Sequence, residues 1–175
     1  MLTHWNKLLN TDCVVLRTHN NKLIYPIFRN GYSSLIKTHQ QKFINEEIGS
    51  CNHIDVVIRD PDVRFVSGVN EYCRQNSLDI KSTHDAIKAG QVVDRHFAPQ
   101  YIWLLHLSKY YKGLITIRPF DKLNQYTYAH ENRSPLNINV PILDEYVAVD
   151  KSLVEYYDKE VALQEIVRRY KDVLS

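Results

Sequence analysis

The stretch "HIDVVIRDP", His53 to Pro61, restricts the fold more than any other part of the chain. Ile54, Val56, Val57 and Ile58 form a near-continuous β-branched run, and β-branched side chains favour extended backbone. A strand with one solvated face would alternate apolar and polar residues. A run this apolar reads as a central parallel strand covered on both faces. Asp60-Pro61 follows at once, a good helix N-cap and a residue at home in the first helical position, so a helix is expected from here to about Cys73.

The rest of the chain repeats this alternation. "LIYPIF", Leu23 to Phe28, reads as a buried strand ending at the polar Arg29-Asn30-Gly31 turn. The preceding "CVVLRT" can pair with it through His19-Asn20-Asn21. Ser33 or Ser34 then starts a helix reaching roughly Ile48. Residues 82–90 predict a short helix, and Pro99 opens a longer one, "PQYIWLLHLSKYYKG", stopped by Gly113. "LITIRPF" predicts a third strand limited by Pro119. After a polar stretch from Tyr126 to Pro141, a last helix is expected over about Lys151 to Val173, where Leu163, Ile166, Val167, Tyr170 and Leu174 recur at helical spacing. Strand–helix alternation argues for an α/β fold with a central parallel sheet flanked by helices. At 175 residues, residues 1–175 form one domain by the usual size prior.

Composition narrows the function classes. Twenty-two basic against 20 acidic residues leave a net charge of +2, which gives no general reason to expect nucleic acid or an acidic membrane as a partner. Cys13, Cys51 and Cys73 are an odd number at unrelated spacings, pointing to reduced, structural thiols rather than to a disulfide framework or a zinc knuckle. The first twelve residues lack the long apolar stretch of a signal peptide, and no apolar run approaches a membrane span. The expectation is a cytoplasmic protein without a metal site.

Two short stretches carry chemistry. In "FRNGYSS", a strand, a glycine turn and a helix start gather unpaired backbone N–H groups around one point. Gly31 permits close approach, Ser33 and Ser34 add hydroxyls, and Arg29 adds a fixed charge. The lysine and second glycine of a nucleotide-triphosphatase loop are missing. In "VVIRDPDVRFVSGVNEY", Arg59 ends a strand and Ser67 lies eight residues later on the helix, so both can converge on one phosphate at the C-terminal strand edge. Each stretch also has a plainer reading. The first is an ordinary strand–turn–helix, and the second is a surface helix on which Arg59, Asp60 and Arg64 form weak salt bridges.

Taken in order, these stretches resemble the sulfotransferases that use 3′-phosphoadenosine-5′-phosphosulfate (PAPS), and most closely their carbohydrate (Golgi-type) branch. Arg29 matches the position of the family's catalytic Lys or Arg. Asn30, Gly31, Tyr32, Ser33 and Ser34 match its phosphosulfate loop, and Arg59 and Ser67 match its 3′-phosphate pair. "DRHFAPQ" (Asp94–Gln100), "HENRS" (His130–Ser134) and "YYDKE" (Tyr156–Glu160) are similar to three further segments of that branch, the last of them a helix. The resemblance spans roughly residues 24–160. It implies a P-loop-like three-layer fold, PAPS as co-substrate, a carbohydrate acceptor, and Arg133 and Ser134 as further donors to the 3′-phosphate. Arg29 stands where lysine is commoner, Tyr32 is bulky for its position, and the chain is short, with acceptor-binding insertions missing or minimal.

Sulfuryl transfer passes a planar group in line between two oxygens, so catalysis is mostly positioning and charge stabilisation, and it requires no metal. Arg29 and the Gly31–Ser33 N–H groups are the candidates for stabilising charge on the leaving oxygen. His96 is the candidate general base, with Asp94 orienting it; a structural histidine is the alternative. His53 and Glu71 are fallback bases, and His39 is expected to be exposed. Phe65, Trp103 or one of the twelve tyrosines can stack on adenine or a sugar ring. Two other functions fit: a non-catalytic adenosine-bisphosphate-binding module, and a small nucleotide kinase on the same fold.

Overall fold

The computed structural model describes residues 5, 9–127 and 140–174. Arg133 and Ser134 of the sequence reading lie outside the described residues. The His53–Ile58 run forms the strand β4, buried on both faces. Around it lie β1 (Val14–Arg17), β2 (Leu23–Tyr25), β3 (Lys42–Ile44), β5 (Leu114–Pro119) and β6 (Glu160–Ala162), in the order β3-β1-β2-β4-β5-β6. Helices α1 (Tyr32–Thr38), α2 (Pro61–Asn76), α3 (Ile80–Lys88), α4 (Gln100–Tyr110), α5 (Asp144–Ser152) and α6 (Leu163–Leu174) flank it.

The sheet is mixed rather than parallel. Only β2, β4 and β5 run parallel, with Ile24 opposite Asp55 and Asp55 opposite Thr116. Strand β1 pairs antiparallel with β2 through the predicted His19-Asn20-Asn21 connection, β3 antiparallel with β1, and β6 antiparallel with β5. On one face Ile54, Val56 and Ile58 pack against Tyr101, Leu104 and Leu107 of α4 and Leu163 and Ile166 of α6. On the other, Leu16, Ile24 and Val57 meet Leu35 of α1, Leu123 and Tyr126. A separate cluster joins α2, α3, α4 and α5 through Phe65, Val69, Ile87, Phe97, Ile102 and Val147. Each buried aliphatic contributes about 1.5–3 kcal/mol, which accounts for the central position of the β-branched strand.

Three expectations about elements are corrected. Strand β2 ends at Tyr25 rather than Phe28, because Pro26 has no N–H for the ladder. Helix α1 ends at Thr38 instead of Ile48: His39 is extended and the chain turns back as β3, pairing Phe43 with Val15, before a 3-10 turn at Asn45–Ser50. The last helix is split. Residues Leu153–Tyr156 form a 3-10 turn, Asp158 takes φ 57, and Glu160–Ala162 adds an edge strand before α6. The "YYDKE" segment is thus a turn and strand start, where Asp158 binds Arg118 at 2.9 Å and also Lys122.

The Asp60 cap follows the sequence, whereas α1 begins at Tyr32 behind Gly31 and α4 ends at Tyr110, ahead of Gly113. Asp60 accepts the Val63 N–H at 2.9 Å with Pro61 in the first turn. Cys13, Cys51 and Cys73 are all free thiols.

Candidate functional site

The site is built at the C-terminal edge of β2 and β4. Pro26 releases the chain from the sheet, and Arg29 turns it with φ 72. A non-glycine residue in that region stores strain on the order of 1–3 kcal/mol, and such strain concentrates at functional positions. Gly31 follows with φ 77 as N-cap of α1, and a Cβ there would lie 2.4 Å from Leu123 Cδ2. No side chain caps the start of α1.

The two motif stretches meet here. Arg29 Nη2 donates to Ser67 Oγ at 2.6 Å, across 38 residues of sequence. Burial pulls the Arg29 guanidinium below its usual pKa, with Glu71 opposing and Arg74 adding to the shift. Arg59 is shifted down by burial and then by Arg29 itself. Its guanidinium stacks 5.2 Å from the centre of the Phe120 ring. Arg64 is fully buried and pulled down to about 10 by burial, against the charge of Asp150. It is no surface salt bridge: it donates to Phe28 O at 3.0 Å and to Ala98 O.

A polar lattice beneath fixes these groups. Asn30 is buried and donates from Nδ2 to Val57 O at 2.9 Å and to Gln100 Oε1 at 2.5 Å. Gln100 accepts the Arg59 N–H and donates back to Arg59 O, each at 2.9 Å. The N–H groups of Gln100 and Tyr101 donate to Asp150 at 2.6 and 2.8 Å. Burial nevertheless holds the Asp150 carboxyl up at about 6.

His96 sits on the turn before α4. Its Nδ1 donates to Asp94 Oδ1 at 2.5 Å and its backbone N–H to the same oxygen at 2.8 Å. Burial pushes the Asp94 carboxyl up, but the bonds from His96 outweigh it and leave the group below its usual range. The contact to Asp94 engages Nδ1 and leaves Nε2 as the second hydrogen-bonding position of the ring. The His96 ring meets Phe28 edge-on at 5.0 Å and Tyr72 at 6.4 Å. Gly68, beside Ser67, allows the approach: a Cβ there would lie 2.1 Å from His96 O. Tyr32 packs on Phe28 at 5.5 Å, and Arg95 stacks over the same ring at 4.5 Å.

Arg29, Gly31, Tyr32, Ser33, Arg59, Ser67 and His96 therefore surround one edge of the sheet. No protein-family model, curated protein or solved structure matches this chain.

Other predicted residues fall elsewhere. Asn30 and Ser34 are buried, so the first is a structural tether and only Ser33 presents a hydroxyl to solvent. Phe65 is core, against Phe97 and Tyr146. Trp103, on α4, is partly buried against the core. His39 is buried rather than exposed, bonded through Nε2 to Tyr126 O at 2.5 Å. Glu71 is occupied by Arg74, at 2.5 and 3.0 Å, and by Gln75 at 2.7 Å. His53 starts β4, roughly 20 Å along the strand from Arg59 at about 3.3 Å per residue. Neither fallback base suits this site. Sequence reasoning missed Gly68, Arg64, Gln100 and Asp150. Gly68 carried a signal, a glycine inside a helical stretch, and Gln100 ends the family-like "DRHFAPQ" segment.

Proposed function

We propose that this chain is a PAPS-dependent sulfotransferase on a P-loop-like three-layer fold, acting on a hydroxyl of a carbohydrate. One observation carries the reading: the 2.6 Å bond from Arg29 to Ser67, which joins the two stretches that resemble the family's 5′- and 3′-phosphate elements. The donor set fits such a ligand. Arg64 is buried against Asp150, while Arg29 lies near Glu71 and Arg59 near both Arg29 and Asp60. Two half-buried guanidiniums brought together at one strand edge offer the planar donor forks that phosphate groups take.

In this reading the sulfur–oxygen bond to the 5′-phosphate breaks as the acceptor oxygen bonds to sulfur. His96 Nε2 takes the acceptor proton, and Asp94 holds the ring in the required tautomer and offsets its charge. Arg29 and the Tyr32 and Ser33 N–H groups stabilise the negative charge left on the phosphate oxygen. The strained backbone at Arg29 holds that charge in place before the ligand arrives. Tyr32 leans at 53° on Phe28, whose ring also carries Arg95, and this aromatic ledge beside His96 is a surface suited to a sugar ring.

The test is a thermal-shift comparison of adenosine 3′,5′-bisphosphate with AMP and ATP, followed by transfer assays on a sugar panel. The bisphosphate is expected to stabilise the protein most, and Arg59→Ala to abolish its advantage over AMP. Arg29→Ala is expected to keep bisphosphate binding within several-fold and to remove transfer. No preference for the 3′-phosphate would overturn the assignment. Bisphosphate binding without transfer to any hydroxyl would favour the non-catalytic module.

A further inference from the structure

A second site lies at the opposite edge of the sheet and does not depend on the sulfotransferase reading. In β4, His53 and Asp55 interrupt an otherwise apolar strand, a local violation of the buried-strand pattern. Register places Asp55 beside Ile24 and Thr116, and Arg118 beside Val57, on the face that α1 and Leu123 cover only in part. A pocket of about 470 Å³ opens there, lined by Arg17, Lys22, Phe43, His53, Asp55 and Arg118 among others. That volume suits a monosaccharide-sized ligand.

The charges are unevenly matched. Arg118 is answered by Asp158 at 2.9 Å and Asp55 at 3.9 Å. Among the described residues no carboxylate pairs with Arg17 or Lys22, and the Arg17 guanidinium lies 5.2 Å over the Phe43 ring with its buried Nε unbonded. Burial raises the nearby Cys51 thiol, so it supplies no anion. The floor is Asp55, 5% exposed. Its Oδ2 accepts the Tyr126 hydroxyl at 2.5 Å. Its Oδ1 faces His53 Nε2 at 3.5 Å and Arg118 Nε at 3.9 Å, both beyond hydrogen-bond length. His53 is itself held by Thr116 at 2.9 Å and Glu160 at 3.2 Å.

A carboxylate oxygen in the pocket lining with no protein donor nearer than 3.5 Å, beside two cations with no carboxylate partner among the described residues, offers two points of attachment. We infer that this pocket binds a monosaccharide-sized polyol carrying a phosphate monoester. Its hydroxyl donates to Asp55 Oδ1, and its phosphate bridges Arg17 and Lys22.

The experiment is an amide chemical-shift titration of the full chain with glucose 6-phosphate, and separately with glucose and with inorganic phosphate. Saturable shifts are expected at residues 17–23 and 50–55, with glucose 6-phosphate at least tenfold tighter than either half. Lys22→Gln, an exposed change that leaves the core intact, and Arg17→Gln are each expected to weaken it about tenfold. Asp55→Asn is expected to reduce sugar-phosphate affinity while sparing that of inorganic phosphate. The proposal is overturned by shifts confined to residues 29–34 and 59–67, by equal affinity for inorganic phosphate, or by binding unchanged in Lys22→Gln.

Discussion

Replacing Gly68 by alanine tests how tightly α2 is seated against the His96 turn. A methyl group there would lie 2.1 Å from His96 O and 2.7 Å from its carbonyl carbon, where ordinary contact starts at 3.4 Å. The gap to be opened is therefore about 1.3 Å (3.4 − 2.1), and both obstacles are backbone atoms that no rotamer change can remove. Overpacking costs about 1–3 kcal/mol, and a backbone clash belongs at the upper end. Alanine also improves helix propensity by about 1 kcal/mol over glycine. The net expectation is a loss of about 2 kcal/mol. For a chain of this size that lowers the melting temperature by about 4–8 °C. The assay is urea and thermal unfolding beside Gly49→Ala, whose nearest obstacle, Tyr110 O at 3.6 Å, is an ordinary contact. Because propensity and clash have opposite signs, the outcome is decisive. A Gly68→Ala protein that melts at or above wild type would refute the close seating and the placement of His96 beside Ser67.

Arg64→Leu strips the charged donor from Phe28 O and Ala98 O and leaves Asp150 without its counter-charge. A loss of about 3–5 kcal/mol is expected in urea, and a loss under about 1 kcal/mol would contradict the buried role of Arg64. Asp150 titrates at about 6 when folded, against about 3.9 unfolded, so the folded state holds its proton more tightly. Its contribution is complete below pH ~4 and is lost as pH rises through ~6, about 3 kcal/mol in all. Asp150→Asn should flatten that slope, and an unchanged slope from pH 4 to 7 would assign it to other groups. Asp94→Asn is expected to leave bisphosphate affinity unchanged while slowing transfer more than tenfold in single-turnover assays. Equal losses in binding and rate would count against an orienting role for Asp94.

What sequence reasoning could reach depended on how local the signal was. The β4 strand, the Asp60 cap and the helix at Gln100 are each written within a few residues, as period, cap and proline. Strand β6 was hidden because "EVA" is three residues long and adjoins a helical stripe. Its pairing to Ile115 is a tertiary contact with no local mark. The same holds for β3, whose "KFI" follows a polar run that gives a helix no apolar stripe to bury. At the site, the sequence placed Arg29 on one stretch and the Arg59–Ser67 pair on another, but it marked neither the Arg29–Ser67 bond nor the lattice of Asn30, Gln100 and Asp150. Asp150 reads as one more polar residue on an amphipathic helix until its neighbours are known. Asp55 was visible and passed over: a carboxylate inside a β-branched strand is a departure that strand propensity alone cannot justify.

Gln100 has a mechanical consequence. Its side-chain amide receives the Arg59 N–H and returns a bond to Arg59 O, as a neighbouring strand residue would. The first residue of a helix thus serves as one more rung of the sheet, and Asn30 is fastened to the same amide. The Arg29 turn, the end of β4 and the start of α4 are consequently one rigid jaw. Folding that turn away from the sheet would break both buried bonds of Asn30 at once. If the site holds the anion proposed for it, closure over that anion would have to come from the side facing this jaw.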